Sequence, residues 1–342
     1  MKKIKLSKKT NFLIGLSIVI VIIIIIILSL TSTSNPTQDE PTPIPFPSTT
    51  TSINIPNKFI WQIDSLILPK NINIISVSKN TKGEDILKNL ATNLNFNNKP
   101  NPILNTPILI YNNPQEATSI YLNKDENLIK FNLDLLQKPL PETIIQTKTS
   151  DQINQDTMVL LQKSLNLPSS VTLTKTSTRY QNINGPRFID TTKEKAILIT
   201  STYNYSINSL PILFPKGNSI ETIHTLEGKL VKITLNLPFQ PLESGNPHPV
   251  KTIEEIKSTP TSQFITIIIS GNQRFTLSDQ EIDIDNATIN NGFLGYLNTG
   301  SNILEPYIFL TGTTEDPNYK TLEILLGVPA LSPSSYITPA TL

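Results

Sequence analysis

The segment Phe12–Leu30 constrains this chain more than any other, because it contains no charged residue and no proline and includes six consecutive isoleucines, Ile22–Ile27. An α-helix over this segment is roughly 28 Å long, close to the thickness of the hydrocarbon core of a bilayer. A helix that is apolar on every side is not typical of the surface of a water-soluble protein. The segment therefore predicts a transmembrane helix within residues 11–30, and the lipid bilayer is its expected partner.

The charges that flank this segment predict its orientation. Five lysines lie within residues 1–10, and no basic residue follows Leu30 until Lys58. Basic residues favour the cytoplasmic side, so we expect a cytoplasmic stub, a single membrane span and an extracytoplasmic remainder. The apolar run is longer than that of a typical signal peptide and no A-x-A cleavage site follows it, which favours an uncleaved anchor over the alternative of a cleaved signal.

Two segments lack the pattern of a folded core. Residues 31–56 contain six prolines among serine and threonine, which favours polyproline II and predicts a spacer between the membrane and a folded domain. Residues 331–342 also contain spaced prolines and no apolar periodicity. We expect this last segment to be a tail.

Composition excludes several classes of function. The chain has no cysteine, a formal net charge of +1 and only 16% charged residues. The absence of cysteine excludes disulfides, thiolate metal sites and cysteine nucleophiles. Nucleic-acid binding calls for a basic face, and five of the lysines belong to the predicted cytoplasmic stub, so we expect no nucleic-acid partner.

Two internal sequence matches organise the rest of the chain. Leu87–Phe96 resembles Met158–Leu167, with apolar residues at helical spacing in both segments. Leu128–Leu135 (LIKFNLDL) resembles Leu230–Leu237 (LVKITLNL), and both alternate between apolar and polar residues. Each of these predicted strands follows a turn and an earlier strand, so the pattern predicts a helix and a β-hairpin in each copy.

These matches predict an α+β fold in which tandem units, each a helix packed on an antiparallel sheet, follow the N-terminal transmembrane helix. A short helix over Val250–Ser258 and four strand-like segments after it indicate a third, degraded copy. The first α+β unit is expected at 57–145 and the second region at 146–330. The second region is either one unit or two, 146–249 and 250–330.

The C-terminal half carries a recurring order of motifs. Glu227–Val231 forms a "G-x-hydrophobic" hairpin turn, Thr252–Ile256 a helix, and Leu294–Tyr296 with Glu305–Phe309 a strand pair rich in tyrosine, proline and aromatic residues. This order resembles the PepSY-type modules and the related YycH/YycI class of bacterial envelope regulators over residues 151–330, and the resemblance extends less closely to residues 57–136. The resemblance implies a non-catalytic protein that inhibits a protease or modulates a membrane sensor kinase.

The residues that usually carry catalysis or bind metals are sparse. The chain has two histidines, His224 and His248, and a metal site would need both to converge with a carboxylate. Glu281, Asp283 and Asp285 (EIDID) share one face of a predicted strand without the spacing of a calcium loop, so a solvated face is favoured over calcium.

No nucleophile elbow or phosphate-binding loop is evident, so we predict no catalytic, cofactor or metal residues. Trp61, the only tryptophan, is interpreted as a core residue of the first unit. The expected function is to bind and modulate another envelope protein, either at an exposed sheet edge or in the groove between units. The alternative is a structural or surface-display protein that contacts cell-wall polymer.

Overall fold

A computed structural model describes residues 55–78, 82–141, 144–184, 187–215, 217–271, 284–316 and 320–332. All of them belong to one compact unit, Pro45–Leu342. The predicted transmembrane helix lies outside the described residues, as do most of the linker and the tail from residue 333 onward. In the part of the chain that is described, no helix has the length and apolar character needed to span a bilayer.

The described residues form seventeen β-strands and three α-helices. The helices are α1 (Gly83–Asn93), α2 (Ser150–Leu165) and α3 (Ile253–Lys257). The strands are β1 (Lys58–Trp61), β2 (Asn71–Ser78), β3 (Asn101–Pro102), β4 (Ile108–Asn113), β5 (Thr118–Asn123), β6 (Leu128–Leu133), β7 (Val171–Asn184), β8 (Arg187–Asp190), β9 (Leu198–Ile207), β10 (Leu210–Leu213), β11 (Ile220–Thr225), β12 (Leu230–Asn236), β13 (Gln240–Pro249), β14 (Ile265–Gly271), β15 (Asn286–Leu297), β16 (Ile303–Asp316) and β17 (Lys320–Pro329).

Sheet A is an antiparallel sheet in the order β3-β4-β5-β6-β12-β11-β9-β7-β8. The apolar residues of its strands alternate with polar ones, and Ile129, Phe131 and Leu133 of β6 are buried. Asn154 of α2 accepts a hydrogen bond of 2.5 Å from Ser201 Oγ on β9, so α2 lies on the buried face. The opposite face of sheet A is called the open face below.

Sheet B has the order β14-β17-β16-β15, and both β1 and β10 pair in parallel with the remaining edge of β15. β10 also pairs with the end of β9, and so links sheet B to sheet A. A smaller arrangement places β2 between β13 and the start of β16. All the strands therefore belong to one connected network that mixes parallel and antiparallel pairs.

The α+β prediction is wrong, because 51% of the described residues are in strands and only 15% are in helices. The predicted hairpins and helices do form, but they do not make separate units in series. The last strand of the first hairpin, β6, pairs directly with the last strand of the second, β12. The unpaired backbone N–H and C=O groups at the edge of each hairpin bond to those of the other hairpin, so the two sequence copies form one sheet.

The merged copies are related by a local pseudo-twofold axis. The two hairpins are offset by 102 residues, so Phe131 corresponds to Ile233, and these two residues are paired with each other across β6 and β12. The two helices are offset by 71 residues, so Asn93 of α1 corresponds to Ser164 of α2, and it donates a 2.9 Å hydrogen bond to Ser164. The repeat found in the sequence is therefore an internal symmetry of one domain.

Candidate functional site

The fold creates a cleft of about 1780 Å³ between the open face of sheet A and residues of sheet B. Side chains of β5, β6, β12, β11, β9 and β7 line it on one side, and side chains of β15, β16 and β17 line it on the other. At about 4.8 Å between strands, these six strands of sheet A give a floor roughly 24 Å wide. We call this feature the cleft, and its sheet A side the floor.

The strand register places the floor side chains in rows that cross the sheet. One row contains Tyr121, Lys130, Thr234, Glu221, Thr202 and Ser177. The next row contains Asn132, Lys232, Ile223, Thr200 and Arg179, and the register continues this row to Ser119 of β5, outside the lining of the cleft. Paired residues point to the same face of a sheet, so the floor presents hydroxyl, amide and charged groups with few apolar interruptions.

Hydrogen bonds between floor side chains fix their positions. The hydroxyl of Thr202 lies 2.8 Å from that of Thr176 and 2.7 Å from that of Ser177. Thr200 donates to the side-chain oxygen of Gln181, whose amide nitrogen donates to Asp190 Oδ1 at 2.9 Å. This network arranges the floor before any ligand binds, which lowers the entropy lost on binding.

Three cationic side chains and one carboxylate lie on the floor. Arg179 Nη2 is 3.6 Å from Glu221 Oε2, and Lys232 Nζ is 3.7 Å from Glu221 Oε1. Both distances exceed the 2.7–2.9 Å typical of a charge-assisted hydrogen bond, so these pairs are loose. Among the described residues, Lys130 has no carboxylate oxygen within 4.0 Å, so the floor carries an excess of positive charge.

The rim of the cleft differs from the floor in charge. Asp125 and Glu126, in the turn between β5 and β6, are exposed, and so is Glu323 of β17. Burial raises the pKa of Tyr121, and the nearby carboxylate of Glu126 raises it further, so the phenol remains a neutral hydrogen-bond donor at neutral pH. Phe293 of β15 is 36% exposed and lies 5.4 Å from Phe309 between ring centroids.

His224 and His248, the two histidines considered for a metal site, do not line the cleft. His224 is on the buried face of sheet A, with Nε2 3.3 Å from Thr157 Oγ1 on α2. Thr157 donates its only hydroxyl proton to Ile153 O at 2.7 Å. Nε2 of His224 must therefore carry a proton and donate it to Thr157, and Nδ1 is left buried without a hydrogen-bond partner.

His248 is on β13, opposite Ile72 of β2, and burial lowers its pKa. Burial is also the largest cause of the lowered pKa of His224, about 4. The carboxylate of Asp156 opposes that shift, and the ammonium of Lys148 adds to it. The two histidines thus lie in different sheets, His224 on β11 of sheet A and His248 on β13 beside β2.

The other residues singled out in the sequence are also dispersed. Glu281 and Asp283 lie outside the described residues, and the backbone oxygen of Asp285 accepts a 3.1 Å hydrogen bond from Lys58 N. Within the described residues, no group of three or more His, Asp or Glu side chains is placed to hold a metal ion. Trp61 is half-buried on β1 of sheet B, beside C-terminal strands and 5.9 Å from Phe59 between ring centroids.

Sequence reasoning missed the cleft. The polar positions of LIKFNL and LVKITLN indicated a solvated strand face, and no local signal shows that a second sheet lies opposite that face. Lys130 and Lys232 each occupy the third position of LIKFNL and LVKITL. This equivalence is the one signal in the sequence that both lysines belong to the same surface.

Comparison with known proteins leaves the family open. No family model matches the chain, and no curated protein matches it significantly. One solved structure that matches the chain is the crystal structure of an uncharacterized protein from Eubacterium rectale. It is 9% identical over 82% of this chain and 90% of that chain, with a TM-score of 0.48. A likeness at this level carries no argument about function.

Proposed function

We propose that this chain is a membrane-anchored, extracytoplasmic binding protein without catalytic activity, which holds an extended segment of another envelope protein in the cleft and thereby modulates that protein. The observation that carries the proposal is the broad, polar and hydrogen-bonded floor of the cleft. Such a floor offers many donors and acceptors to a peptide backbone. Among the described lining residues, no nucleophile, base and oxyanion donors converge at one point, which is the arrangement used for acyl transfer.

The cleft is a better candidate than the exposed sheet edge at β7. β7 pairs with β9, and along Val171–Tyr180 no strand of the described residues pairs with its other edge. The register of β7 shifts between Lys175 and Ser177, which marks a β-bulge, and Lys175 itself is exposed. Bulges and lysines are the usual devices that prevent an edge strand from accepting another strand.

A protein segment fits the cleft better than a sugar polymer. Sites for sugars rely on flat aromatic rings that stack on the sugar face. Phe293, at 36% exposure, is the most exposed aromatic side chain of the described lining, and Tyr121, Phe188 and Phe214 are half-buried. Phe239, which also lines the cleft, is buried against Tyr205 with ring centroids 6.4 Å apart. Cell-wall polymer is therefore the second candidate rather than the first.

The test is site-directed photocrosslinking in cells that produce the full chain. The crosslinking residue p-benzoylphenylalanine replaces Thr234, at the centre of the floor, or Val159, an exposed residue of α2 beyond the opposite face of sheet A. We expect a discrete protein adduct from position 234 and none from position 159. An adduct with wall glycan alone would support the second candidate, and identical adduct patterns from both positions would refute binding in the cleft.

A further inference from the structure

We infer that the cleft is selective for an extended peptide segment with one acidic residue at its centre, whose carboxylate lies between the ammonium groups of Lys130 and Lys232. This inference rests on the proposed function, since it names the chemistry of the segment that the cleft binds. The evidence for the acidic residue is the charge distribution of the cleft, whereas the proposed function depends only on its polar, hydrogen-bonded floor.

The two lysines form the centre of the floor. Lys130 is paired with Thr234, and Lys232 is paired with Asn132, so the lysines are diagonal neighbours across β6 and β12. Diagonal neighbours have Cβ atoms roughly 7 Å apart. Both lysines line the cleft, and a carboxylate above the strand pair is within reach of both side chains.

The charge on the floor is incompletely compensated. Glu221 is the only carboxylate among the floor side chains of the two central rows, and it is shared loosely between Arg179 and Lys232. Lys130 has no such partner in the described part of the chain. A second carboxylate placed here offsets one of the two uncompensated positive charges, and a concave surface strengthens the attraction because less water screens it.

The rim restricts which peptides satisfy the floor. Asp125, Glu126 and Glu323 lie among the exposed lining residues, and they repel further acids near the mouth of the cleft. A uniformly acidic peptide is therefore attracted by the cations of the floor and repelled by the acids of the rim. A peptide with one central acid and neutral or basic flanking residues is attracted by the floor and is not repelled by the rim.

The experiment uses the full chain in detergent micelles and a phage library of random twelve-residue peptides. We expect Asp and Glu to be enriched at one central position of the selected peptides and depleted at their ends. For a synthetic peptide of the selected sequence, replacing the central acid by its amide should weaken binding by about tenfold or more.

The matched variants decide the outcome. In the Lys130→Met/Lys232→Met variant, the acidic and amide peptides should bind equally, whereas Lys130→Arg should retain most of the preference for the acid. Peptides that bind the wild-type chain without an acidic preference, and bind the double variant equally, would overturn the inference and leave the proposed function standing. If no peptide binds the wild-type chain better than a folded Thr234→Trp variant, in which the floor is filled, both are wrong.

Discussion

Replacing His224 by glutamine should remove a large part of the decrease in the free energy of unfolding that acid causes. His224 is buried beneath α2, and burial lowers its pKa from the ordinary 6.5 to about 4. The unfolded chain therefore takes up a proton near pH 6.5, while the folded chain stays neutral at this position until about pH 4. The stability of the fold is unaffected by this group above pH 6.5 and falls as the pH decreases toward 4.

The size of the effect follows from the two pKa values. One pKa unit corresponds to about 1.36 kcal/mol, so this histidine should lower the free energy of unfolding by up to about 3 kcal/mol between pH 6.5 and pH 4. Glutamine does not titrate, and its amide can replace Nε2 as the donor to Thr157 Oγ1. The variant therefore keeps the hydrogen bond to Thr157 and loses the proton uptake.

The assay is urea unfolding of the full chain at a series of pH values, followed by circular dichroism and by the fluorescence of Trp61. His248→Gln is the matched control. It removes the other histidine of the chain, whose pKa burial also lowers, and it leaves the hydrogen bond between His224 Nε2 and Thr157 in place. We expect the curves of wild type and His224→Gln to diverge in slope below pH 6.5. Parallel curves, within about 0.5 kcal/mol over this range, would refute the reasoning.

Three further perturbations test the fold and the membrane topology. A Cβ at Gly312 would lie 2.1 Å from Thr288 O, so Gly312→Ala should lower the free energy of unfolding by about 3 kcal/mol or more. Ile233 is fully buried on the pseudo-twofold axis, and Ile233→Ala should cost about 2–5 kcal/mol in one cooperative urea transition. Because the chain has no native cysteine, a membrane-impermeant maleimide should label Leu136→Cys but not Ser7→Cys in intact cells.

Each of these experiments has a result that contradicts its premise. Gly245→Ala is the control for Gly312→Ala, since its Cβ would lie 3.3 Å from the nearest atom, and equal losses would contradict the close approach at β15 and β16. Two separate transitions in the Ile233→Ala variant would contradict the merged sheet. Labelling of the Ser7→Cys variant in intact cells would contradict the predicted cytoplasmic location of the N-terminus.

The parts of the fold that local chemistry determines could be predicted from the sequence. The alternation in LIKFNL and LVKITLN predicted β6 and β12, and the turns before them predicted both hairpins. The apolar spacing of Leu87–Phe96 and Met158–Leu167 predicted helices where α1 and α2 lie. In these segments backbone preference and burial favour the same conformation.

The assembly of these parts could not be predicted, because it depends on contacts between distant residues. Phe131 and Ile233 are 102 residues apart in the sequence and adjacent in the sheet. A strand with one apolar face is equally compatible with its own small sheet or with a shared one. The cleft could not be predicted for the same reason. Lys130 and Lys232 have the sequence pattern of solvated side chains, and only the folded chain places sheet B opposite them.

The internal symmetry also predicts which lysine matters more for an acidic ligand. Lys130 and Lys232 occupy equivalent positions in the two copies, and the strand pairing makes Ser119 the counterpart of Glu221. The second copy thus supplies a carboxylate near its own lysine, and the first copy supplies only a hydroxyl.

A bound carboxylate should therefore gain more from Lys130, which has no carboxylate partner in the described region, than from Lys232, which already interacts with Glu221 at 3.7 Å. Lys130→Met should weaken the binding of an acidic peptide several-fold more than Lys232→Met. In a Ser119→Glu variant that restores the symmetry, the two lysine substitutions should have similar effects. Equal effects of the two substitutions in the wild-type chain would show that Glu221 does not compensate Lys232.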